Sequence, residues 1–305
     1  MRLTAAVFGL ASLAACAESA GTPGPDAGAA DADAGPDAGG PRYAVPEAVG
    51  RLPASGLPEL SGLVASRSHA DLLWAVNDSG NPAVLHALDL RGARRGTYTV
   101  EGASNVDWED LALDVAADGA RLYVADVGDN AARETDGASG RAAVQLYRVA
   151  EPDPAAGDAT LRAERIDLVY PDRPFDCEAV FVDPRSGDVY LVTKSSSPAP
   201  VFVARAPLAP GTTVTLSPAG VIDLALATAA DMSGDGTRVV VRGYRLVRAW
   251  TVPPAATLDT LFSRPFVAAM AGSAAEAIAF ERDGYGLYTV AEGDAATLYH
   301  LAFRP

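Results

Sequence analysis

From Tyr43 to Pro305 the chain alternates short apolar runs with segments rich in Gly, Pro and Asp. In runs such as "VQLYRVA", which begins at Val144, apolar and polar residues alternate, a pattern typical of half-buried β-strands. Turns such as "SGDGT" and "PRSGD" separate consecutive runs, as expected for hairpins. No segment of this region has a persuasive helical period. The pattern therefore predicts an all-β domain over residues 43–305.

An internal repeat organises this domain. Five stretches begin with a polar or acidic residue and continue as a short strand: "SGLVAS", "EDLALD", "EAVFVD", "TAADMS" and "EAIAFE". Each is followed by two further apolar strands and a more variable fourth, and the unit recurs at intervals of roughly 50 residues. Four-stranded units of this length predict a β-propeller, whose blades surround a central channel.

Five repeats predict five blades. The last unit ends after its third strand at Pro305, whereas "YAVPEAVGRL", at residues 43–52, precedes the first unit. We therefore predict that this N-terminal strand completes the fifth blade and closes the ring. The interval between the second and third repeats is longer and carries an insertion at residues 129–143. Six blades remain an alternative if this interval contains an additional hairpin.

The first 16 residues, "MRLTAAVFGLASLAAC", combine an early Arg with an apolar run and small residues before Cys16, which is typical of an export signal. The run is too short to be a membrane-spanning helix. The ending "LAAC" resembles the lipobox of bacterial lipoproteins, which implies cleavage before Cys16 and lipidation of its sulfur; an ordinary secretory signal is the alternative. A lipid anchor predicts a location in the bacterial cell envelope, facing the periplasm or on the cell surface.

Residues 17–42 consist almost entirely of Ala, Gly, Pro and Asp and contain no large apolar residue. Because such a segment cannot offset its ordering entropy, we predict a disordered tether between the membrane and the domain. Cys177 is left unpaired once Cys16 carries lipid, so no disulfide is expected despite export.

The formal net charge of −15 argues against nucleic acid or an anionic membrane surface as a partner. We therefore predict membrane contact through the lipid anchor only, and a monomeric domain. His69, His86 and His300 are scattered and fall in no motif, which disfavours zinc sites and histidine-based catalytic triads.

The first strand of each propeller blade lines the channel, so the leading residues of the five repeats are predicted to converge there. They are Ser61, Glu109, Glu178, Thr228 and Glu276. Carboxylates that share a narrow channel repel each other unless a cation lies among them. Oxygen-only ligands of this kind suit calcium, which we predict as the bound metal. The alternative is that these side chains only hydrogen-bond the backbone of the neighbouring blade.

Lys194 is the only lysine in a chain that otherwise uses Arg, and it ends the second strand of the third repeat. The equivalent ends in the other repeats are predicted to be Asp78, Asp126, Arg242 and Glu292. Together these residues are predicted to ring one mouth of the channel. Lys194 and Arg242 would hold an anion, with Glu292 on the same rim, while Asp78 or Asp126 would orient a water molecule. A solvated rim of unrelated charges is the alternative.

Other residues of these motifs have competing roles. Trp108, next to Glu109, is a candidate to stack on a planar ligand, and packing between blades is the alternative. Asp129 and Asn130 in "VGDN" are either further ligands or caps of a turn. Cys177 is predicted to be a buried apolar group and not a nucleophile, because no His accompanies it.

The order Ser, Glu, Glu, hydroxyl, Glu across the repeats, with "ELSGLV" in the first and "WEDLAL" in the second, resembles the five-bladed calcium-activated nucleotidases, the apyrases. In that family such residues surround an axial calcium, and the position that carries serine there is Thr228 here. The motifs "NDSG", "DWEDLA", "GDN" and "VTK" also resemble a family of largely uncharacterised secreted bacterial propellers. This second similarity spans nearly all of residues 43–305.

Two functions follow as hypotheses. In the first, a calcium-stabilised lipoprotein binds an anionic, phosphorylated small molecule at the channel mouth and, if it is an enzyme, hydrolyses the phosphoester. In the second, a non-catalytic surface propeller binds a protein or glycan partner and calcium is purely structural. Propellers host many unrelated functions, so the fold alone does not choose between the two.

Overall fold

The computed structural model describes residues 42–196, 198–270 and 275–304, and all elements below lie in these ranges. The predicted export signal, Cys16 and tether lie outside them. Half-buried and buried strands dominate the described chain, and five of its sheets form the blades of a β-propeller. The predicted all-β class and the five-bladed propeller are confirmed.

The strands follow in chain order. The N-terminal strands are β1 (Arg42–Tyr43) and β2 (Glu47–Arg51). The next group is β3 (Leu60–Ala65), β4 (Leu72–Asn77), β5 (Val84–Asp89) and β6 (Arg94–Glu101). It is followed by β7 (Trp108–Ala116), β8 (Gly119–Asp126), β9 (Val144–Ala150), β10 (Ala159–Arg162) and β11 (Glu164–Val169).

The second half of the chain continues in the same way. Its first group is β12 (Cys177–Val182), β13 (Val189–Thr193), β14 (Ala199–Ala204), β15 (Thr213–Thr215) and β16 (Ser217–Ile222). The last two groups are β17 (Ala227–Met232), β18 (Arg238–Gly243), β19 (Leu246–Thr251) and β20 (Val267–Met270), then β21 (Ala277–Phe280), β22 (Leu287–Val290), β23 (Thr297–Leu301) and β24 (Phe303–Arg304). The helices are α1 (Asn130–Glu134) and two 3₁₀ segments, Pro154–Ala156 and Leu258–Ser263.

Each blade is a sheet that starts with an inner strand at the channel. From the channel outwards, the orders are β3-β4-β5-β6-β10 in blade I, β7-β8-β9-β11-β15 in blade II, β12-β13-β14-β16 in blade III, β17-β18-β19-β20 in blade IV and β21-β22-β23-β2 in blade V. The inner strands β3, β7, β12, β17 and β21 contact one another in sequence, and β21 contacts β3 to complete the ring. Their residues are almost all buried.

The N-terminal strand closes the ring, as predicted. Strand β2 pairs antiparallel with β23 as the outermost strand of blade V, with Glu47 opposite His300 and Arg51 opposite Thr297. The preceding strand β1 pairs with β24, opposite Phe303 and Arg304. Joining the two ends of the domain in one blade holds the ring closed by backbone hydrogen bonds.

The long second interval does not supply a sixth blade. Its insertion holds the short helix α1, and its additional strand β10 pairs in parallel with β6 of blade I. In the following interval, β15 likewise pairs in parallel with β11 of blade II. These additions cover the outer edges of blades I and II, which would otherwise expose unpaired backbone groups.

Apolar side chains fill the spaces between adjacent blades. One cluster joins blades III and IV and includes Phe181, Tyr190 and Trp250; the Phe181 and Tyr190 rings stack with centroids 5.1 Å apart. Another joins blades I and II around Trp74 and Trp108. Among the described residues, no helix is long and apolar enough to span a bilayer.

Candidate metal centre

A cavity of about 200 Å³ lies at one mouth of the channel and collects most of the sequence-predicted residues. Its lining includes all five leading residues of the repeats: Ser61, Glu109, Glu178, Thr228 and Glu276. Asp78, Lys194 and Glu292 from the predicted rim line it too, together with Asn130 and Tyr244. Five carboxylates and one ammonium group therefore face a space large enough for only a few water molecules.

A recurring backbone irregularity aims four of these residues at the channel. In β3, β7, β12 and β17 the register shifts by one residue, so that the second residue of the strand has no partner on the adjacent strand. These residues are Ser61, Glu109, Glu178 and Thr228. A β-bulge turns a side chain out of the normal alternation of the sheet and is frequent beside functional sites. The same bulge in four blades explains why four side chains converge.

Two overlapping groups of acids form the core of the site. In one, carboxylate oxygens of Asp78, Asp107 and Glu109 lie within 4.8 Å of one another; in the other, those of Glu109, Asp176 and Glu178 do so. Glu109 belongs to both. We call them the first and second acidic triads.

Asp107 and Asp176 were not among the sequence-predicted ligands, although the sequence carries a signal for them. Each lies two residues before a predicted glutamate, in "DWE" and "DCE". A repeated Asp-x-Glu at the start of an inner strand brings two carboxylates to the same end of the channel, one just before the strand and one at its bulge.

Glu109 is buried without a partner. Its residue is 6% exposed, and its carboxylate accepts no hydrogen bond from the residues that the structure describes. The space around it is kept open by Gly128, because a Cβ there would collide with the Glu109 Oε1 and Asp107 Oδ2 atoms. An unpaired buried carboxylate beside open space is an arrangement that a bound cation would stabilise.

The other triad members have partial partners. Asp176 accepts hydrogen bonds from the Asp129 backbone N–H at 2.8 Å and from Arg133 Nε at 2.7 Å. Glu178 is ion-paired with Lys194 Nζ. Lys194 also lies over the Tyr244 ring, 5.2 Å from its centroid.

Burial and mutual repulsion raise the pKa of the acids in this cavity. Burial first, and then the charges of Glu178, Asp78 and Asp107, raise the pKa of Glu109 well above its usual range. Burial, followed by the charge of Asp78, raises the pKa of Asp107 to about 6. Burial, followed by the charges of Glu276 and Asp78, raises the pKa of Glu292 to about 7. Burial raises the pKa of Glu178 to about 8 although Lys194 opposes the shift. The mouth therefore holds more negative charge than its surroundings stabilise.

The pKa of Lys194 is raised as well, but for a lysine this shift favours the charged form. Burial alone would lower its pKa, but the Glu178 carboxylate more than compensates, and the pKa is raised above the usual lysine range. Lys194 therefore stays protonated in this cavity.

The structure places three of the five predicted rim residues, Asp78, Lys194 and Glu292, at the cavity. Lys194 follows the last residue of β13, and Asp78 follows the last residue of β4. In blades II and IV the residues in this place are Val127 and Tyr244, because β8 ends at Asp126 and β18 at Gly243. The sequence alignment was thus one residue out of register in blade II and two in blade IV. A slip of one residue sends the Asp126 side chain to the opposite face of its strand, whereas a slip of two keeps Arg242 on the same face but two residues further back along its strand.

Asp126 and Arg242 accordingly lie outside the cavity lining. Asp126 is fully buried, forms an ion pair with Arg141 at 2.8 Å and accepts a hydrogen bond from the Asp107 backbone N–H. Arg242 is also fully buried; it hydrogen-bonds Thr289 Oγ1 and donates to the Tyr244 carbonyl at 3.1 Å. The Arg242 side chain is held by hydrogen bonds within the protein; Asp126 is held through its Oδ1 atom, whereas its Oδ2 atom is buried without a hydrogen-bond partner among the described residues.

Packing between blades is also the role the structure gives Trp108. Its ring is fully buried in the cluster between blades I and II, and its Nε1 donates to the Ser104 carbonyl at 2.9 Å. The Cys177 thiol is likewise buried, which raises its pKa above the usual range.

Asp129 and Asn130, considered as further ligands or as caps of a turn, lie in different surroundings. Asp129 caps α1, accepting a hydrogen bond from the Ala132 backbone N–H at 3.1 Å. Asn130 lines the cavity.

Ser61 and Thr228, the two hydroxyl residues of the predicted metal site, hydrogen-bond the backbone of the neighbouring blade, which was the alternative to metal binding. Ser61 Oγ donates to the Trp108 carbonyl at 3.0 Å, and Thr228 Oγ1 donates to the Ala275 carbonyl at 3.3 Å, each in the next blade. Their oxygens keep lone pairs that can accept a bond.

No protein-family model matches the chain, and no curated protein matches it significantly in sequence. The resemblances to the apyrases and to secreted bacterial propellers stay predictions. The function is therefore argued from the geometry of the channel mouth.

Proposed function

We propose that this protein is a calcium-binding β-propeller of the bacterial cell envelope whose channel mouth receives a small anionic molecule. The observation that carries the metal site is Glu109, a buried carboxylate without a hydrogen-bond partner that is shared by two acidic triads. The anchor proposed for it is lipidated Cys16, joined to the propeller by residues 17–42.

The ligand atoms favour calcium among common metals. All candidate ligands are oxygens: the carboxylates of the two triads, the Ser61 and Thr228 hydroxyls and nearby backbone carbonyls. Thiolates and imidazoles, which transition metals prefer, are absent from this described lining. Calcium takes six to eight oxygens in flexible geometry, whereas magnesium demands a near-ideal octahedron and retains water. Side chains that come from several blades supply the flexible coordination of calcium more readily than the near-ideal octahedron of magnesium.

The proposal for the anion rests on Lys194. It is the cation that faces the acids in the cavity, and a metal beside it would reverse much of the local charge. We propose binding and not phosphoester hydrolysis, because Asp126, one of the two residues predicted to orient a water molecule, does not line the cavity. Arg242, predicted to hold the anion together with Lys194, does not line it either, so that role is left to Lys194. Asp78 does line it and remains a candidate to position water.

The test is a thermal melt of the purified full-length chain in EDTA and then with calcium added in steps. A ligand that binds the folded state at 100 times its Kd stabilises by about 2.7 kcal/mol. We expect calcium to raise the midpoint of the wild type, and Glu109→Gln to remove the rise. Glu101→Gln, an exposed residue on the outer part of blade I, is the matched control and keeps the rise.

If neither EDTA nor calcium changes the melting midpoint of the wild type, the proposal of a metal site is contradicted. A rise that persists in Glu109→Gln places the calcium elsewhere in the protein and contradicts the assignment to the triads.

A further inference from the structure

A second cavity, of about 410 Å³, lies beside the channel mouth, and we call it the side pocket. Lys194 lines both cavities, and Asp176 of the second acidic triad lines the side pocket as well. The side pocket is large enough for a small organic molecule, since ligand sites typically span about 300–1,000 Å³.

The two cavities differ in charge and polarity. The channel-mouth cavity is lined by five carboxylates and Lys194. Arg133, Arg173 and Lys194 bring three positive charges to the side pocket, against Asp136 and Asp176. Phe175 belongs to an apolar wall of this pocket. A cationic rim over an apolar wall suits an organic anion.

Two of these cations are held by the acids of the second triad. Arg133 Nε lies 2.7 Å from Asp176 Oδ2, and Lys194 Nζ is ion-paired with Glu178 Oε1. The side chains of Asp176 and Glu178 are 1% and 7% exposed, so water stabilises them little. A metal and these two cations therefore compete for the same carboxylates.

We propose that a divalent cation in the second triad releases Arg133 and Lys194 from their carboxylate partners, so that they bind an organic anion whose apolar body occupies the side pocket. This inference rests on the proposed metal site. In the metal-free protein, Asp176 and Glu178 neutralise Arg133 and Lys194. In the metal-loaded protein these two cations are free to bind the anion, and the positive metal ion lies next to them. Since binding free energies are reciprocal, the anion then raises the affinity for the metal by the same factor.

The experiment is calorimetric titration of phenyl phosphate into the full-length chain, once with saturating calcium and once in EDTA. We expect about tenfold tighter binding with calcium, within the usual range of coupling between two sites. Titrating calcium with and without phenyl phosphate gives the reciprocal measurement and should show the same factor. Methyl phosphate, which lacks the apolar body, should bind more weakly than phenyl phosphate.

Variants separate the two cations from the metal site. Arg133→Ala and Lys194→Met should abolish phenyl phosphate binding while calcium affinity is kept or increased, because the competing cation is gone. Arg133 is the safer variant for folding, since its side chain is 37% exposed. Arg165→Ala, on the exposed outer part of blade II, is the control and should change neither affinity.

The outcomes are distinguishable. Calcium that does not bind at all contradicts the proposed function itself. Calcium that binds normally, with equal phenyl phosphate affinity in calcium and in EDTA, overturns the release of the two cations. Equal affinities for methyl phosphate and phenyl phosphate overturn the assignment of the apolar body to the side pocket.

Discussion

Two groups of buried carboxylates line this channel, and their surroundings are opposite. At the mouth, Glu109 accepts no hydrogen bond from the described residues. Its chain neighbour Asp110 accepts three from backbone N–H groups: Leu111 at 2.8 Å, Val180 at 2.9 Å and Ala230 at 3.1 Å. Further along the inner strands, Asp231 accepts from Met232 at 2.8 Å and Phe280 at 2.7 Å. We call Asp110 and Asp231 the mid-channel acids.

The contrast separates a structural acid from a candidate ligand. The mid-channel acids join blades, because Asp110 in blade II binds the backbone of blades III and IV, and Asp231 in blade IV binds that of blade V. Their lone pairs are used. Glu109 at the mouth is buried to a similar degree but accepts no hydrogen bond from the described residues, so its charge is available to a cation. Burial alone does not mark a functional carboxylate; the supply of hydrogen-bond donors does.

The largest expected effect on stability comes from a substitution among the mid-channel acids. Asp110→Asn replaces an acceptor oxygen by an NH₂ group that faces backbone donors, leaving buried N–H groups unpaired. One or two such groups are left unpaired, depending on which oxygen is replaced, and each costs about 1–3 kcal/mol, so we expect a loss of about 1–6 kcal/mol in the free energy of unfolding. Denaturant titration in EDTA measures it. A loss below about 1 kcal/mol would show that these hydrogen bonds do not hold the blades together.

The pH dependence of Asp231 comes next. Burial raises its pKa to about 6, although the nearby Arg67 guanidinium opposes the shift. Because the folded state binds this proton more tightly than the unfolded chain, stability falls as pH rises from about 4 to about 6 and is level above that. The gap between wild type and Asp231→Asn should change by about 3 kcal/mol between pH 4 and pH 7. Denaturant titrations across this range test it, and a constant gap contradicts it.

At the mouth the sign of the mutational effect should reverse. Glu109→Gln keeps the shape of the side chain and removes an unpartnered buried charge, so in EDTA we expect a gain of about 1 kcal/mol in the free energy of unfolding. The comparison with Asp110→Asn uses adjacent residues and the same chemical change. If both variants lose stability equally, the distinction between the two groups of acids fails.

A similarly small effect on stability is expected at Gly128. A methyl group there would collide with the Glu109 and Asp107 carboxylates, so Gly128→Ala should weaken calcium binding about tenfold, equivalent to about 1.4 kcal/mol. The free energy of unfolding in EDTA should fall by only about 1 kcal/mol, the low end of the cost of overpacking, because the atoms that collide are the carboxylate ends of two side chains beside the cavity. Calorimetric titration of calcium measures the first and denaturant titration the second. Unchanged calcium affinity would mean that the metal does not lie beside Gly128.

Much of the fold could be predicted from the sequence because its signals are local and repeated. The five repeats locate the inner strands, and the unfinished last unit predicts the strand exchange that β2 makes with blade V. The leading residues of the repeats line one cavity, since a repeat with a constant period places equivalent positions at equivalent heights.

Two residues of the predicted rim do not line the cavity, and their prediction depended on register. Asp126 and Arg242 were aligned with Lys194 by sequence, but strand ends in blades II and IV differ by one and two residues. Tyr244, which takes the place assigned to Arg242, carried no signal in the repeat. The bulges at Ser61, Glu109, Glu178 and Thr228 were equally invisible, because a bulge is defined by the partner strand and not by the residues that form it.

The sequence by itself determined the propeller, its five repeats, the strand that closes it and the acidic character of the channel, because hydrophobic periodicity and repeat spacing are properties of the chain. Only the tertiary structure decided which acids have donors. Glu109 and Asp110 are adjacent and both acidic, yet Asp110 meets backbone N–H groups from two other blades and Glu109 meets other carboxylates. That difference arises from residues far apart in sequence, which only the closed ring brings together.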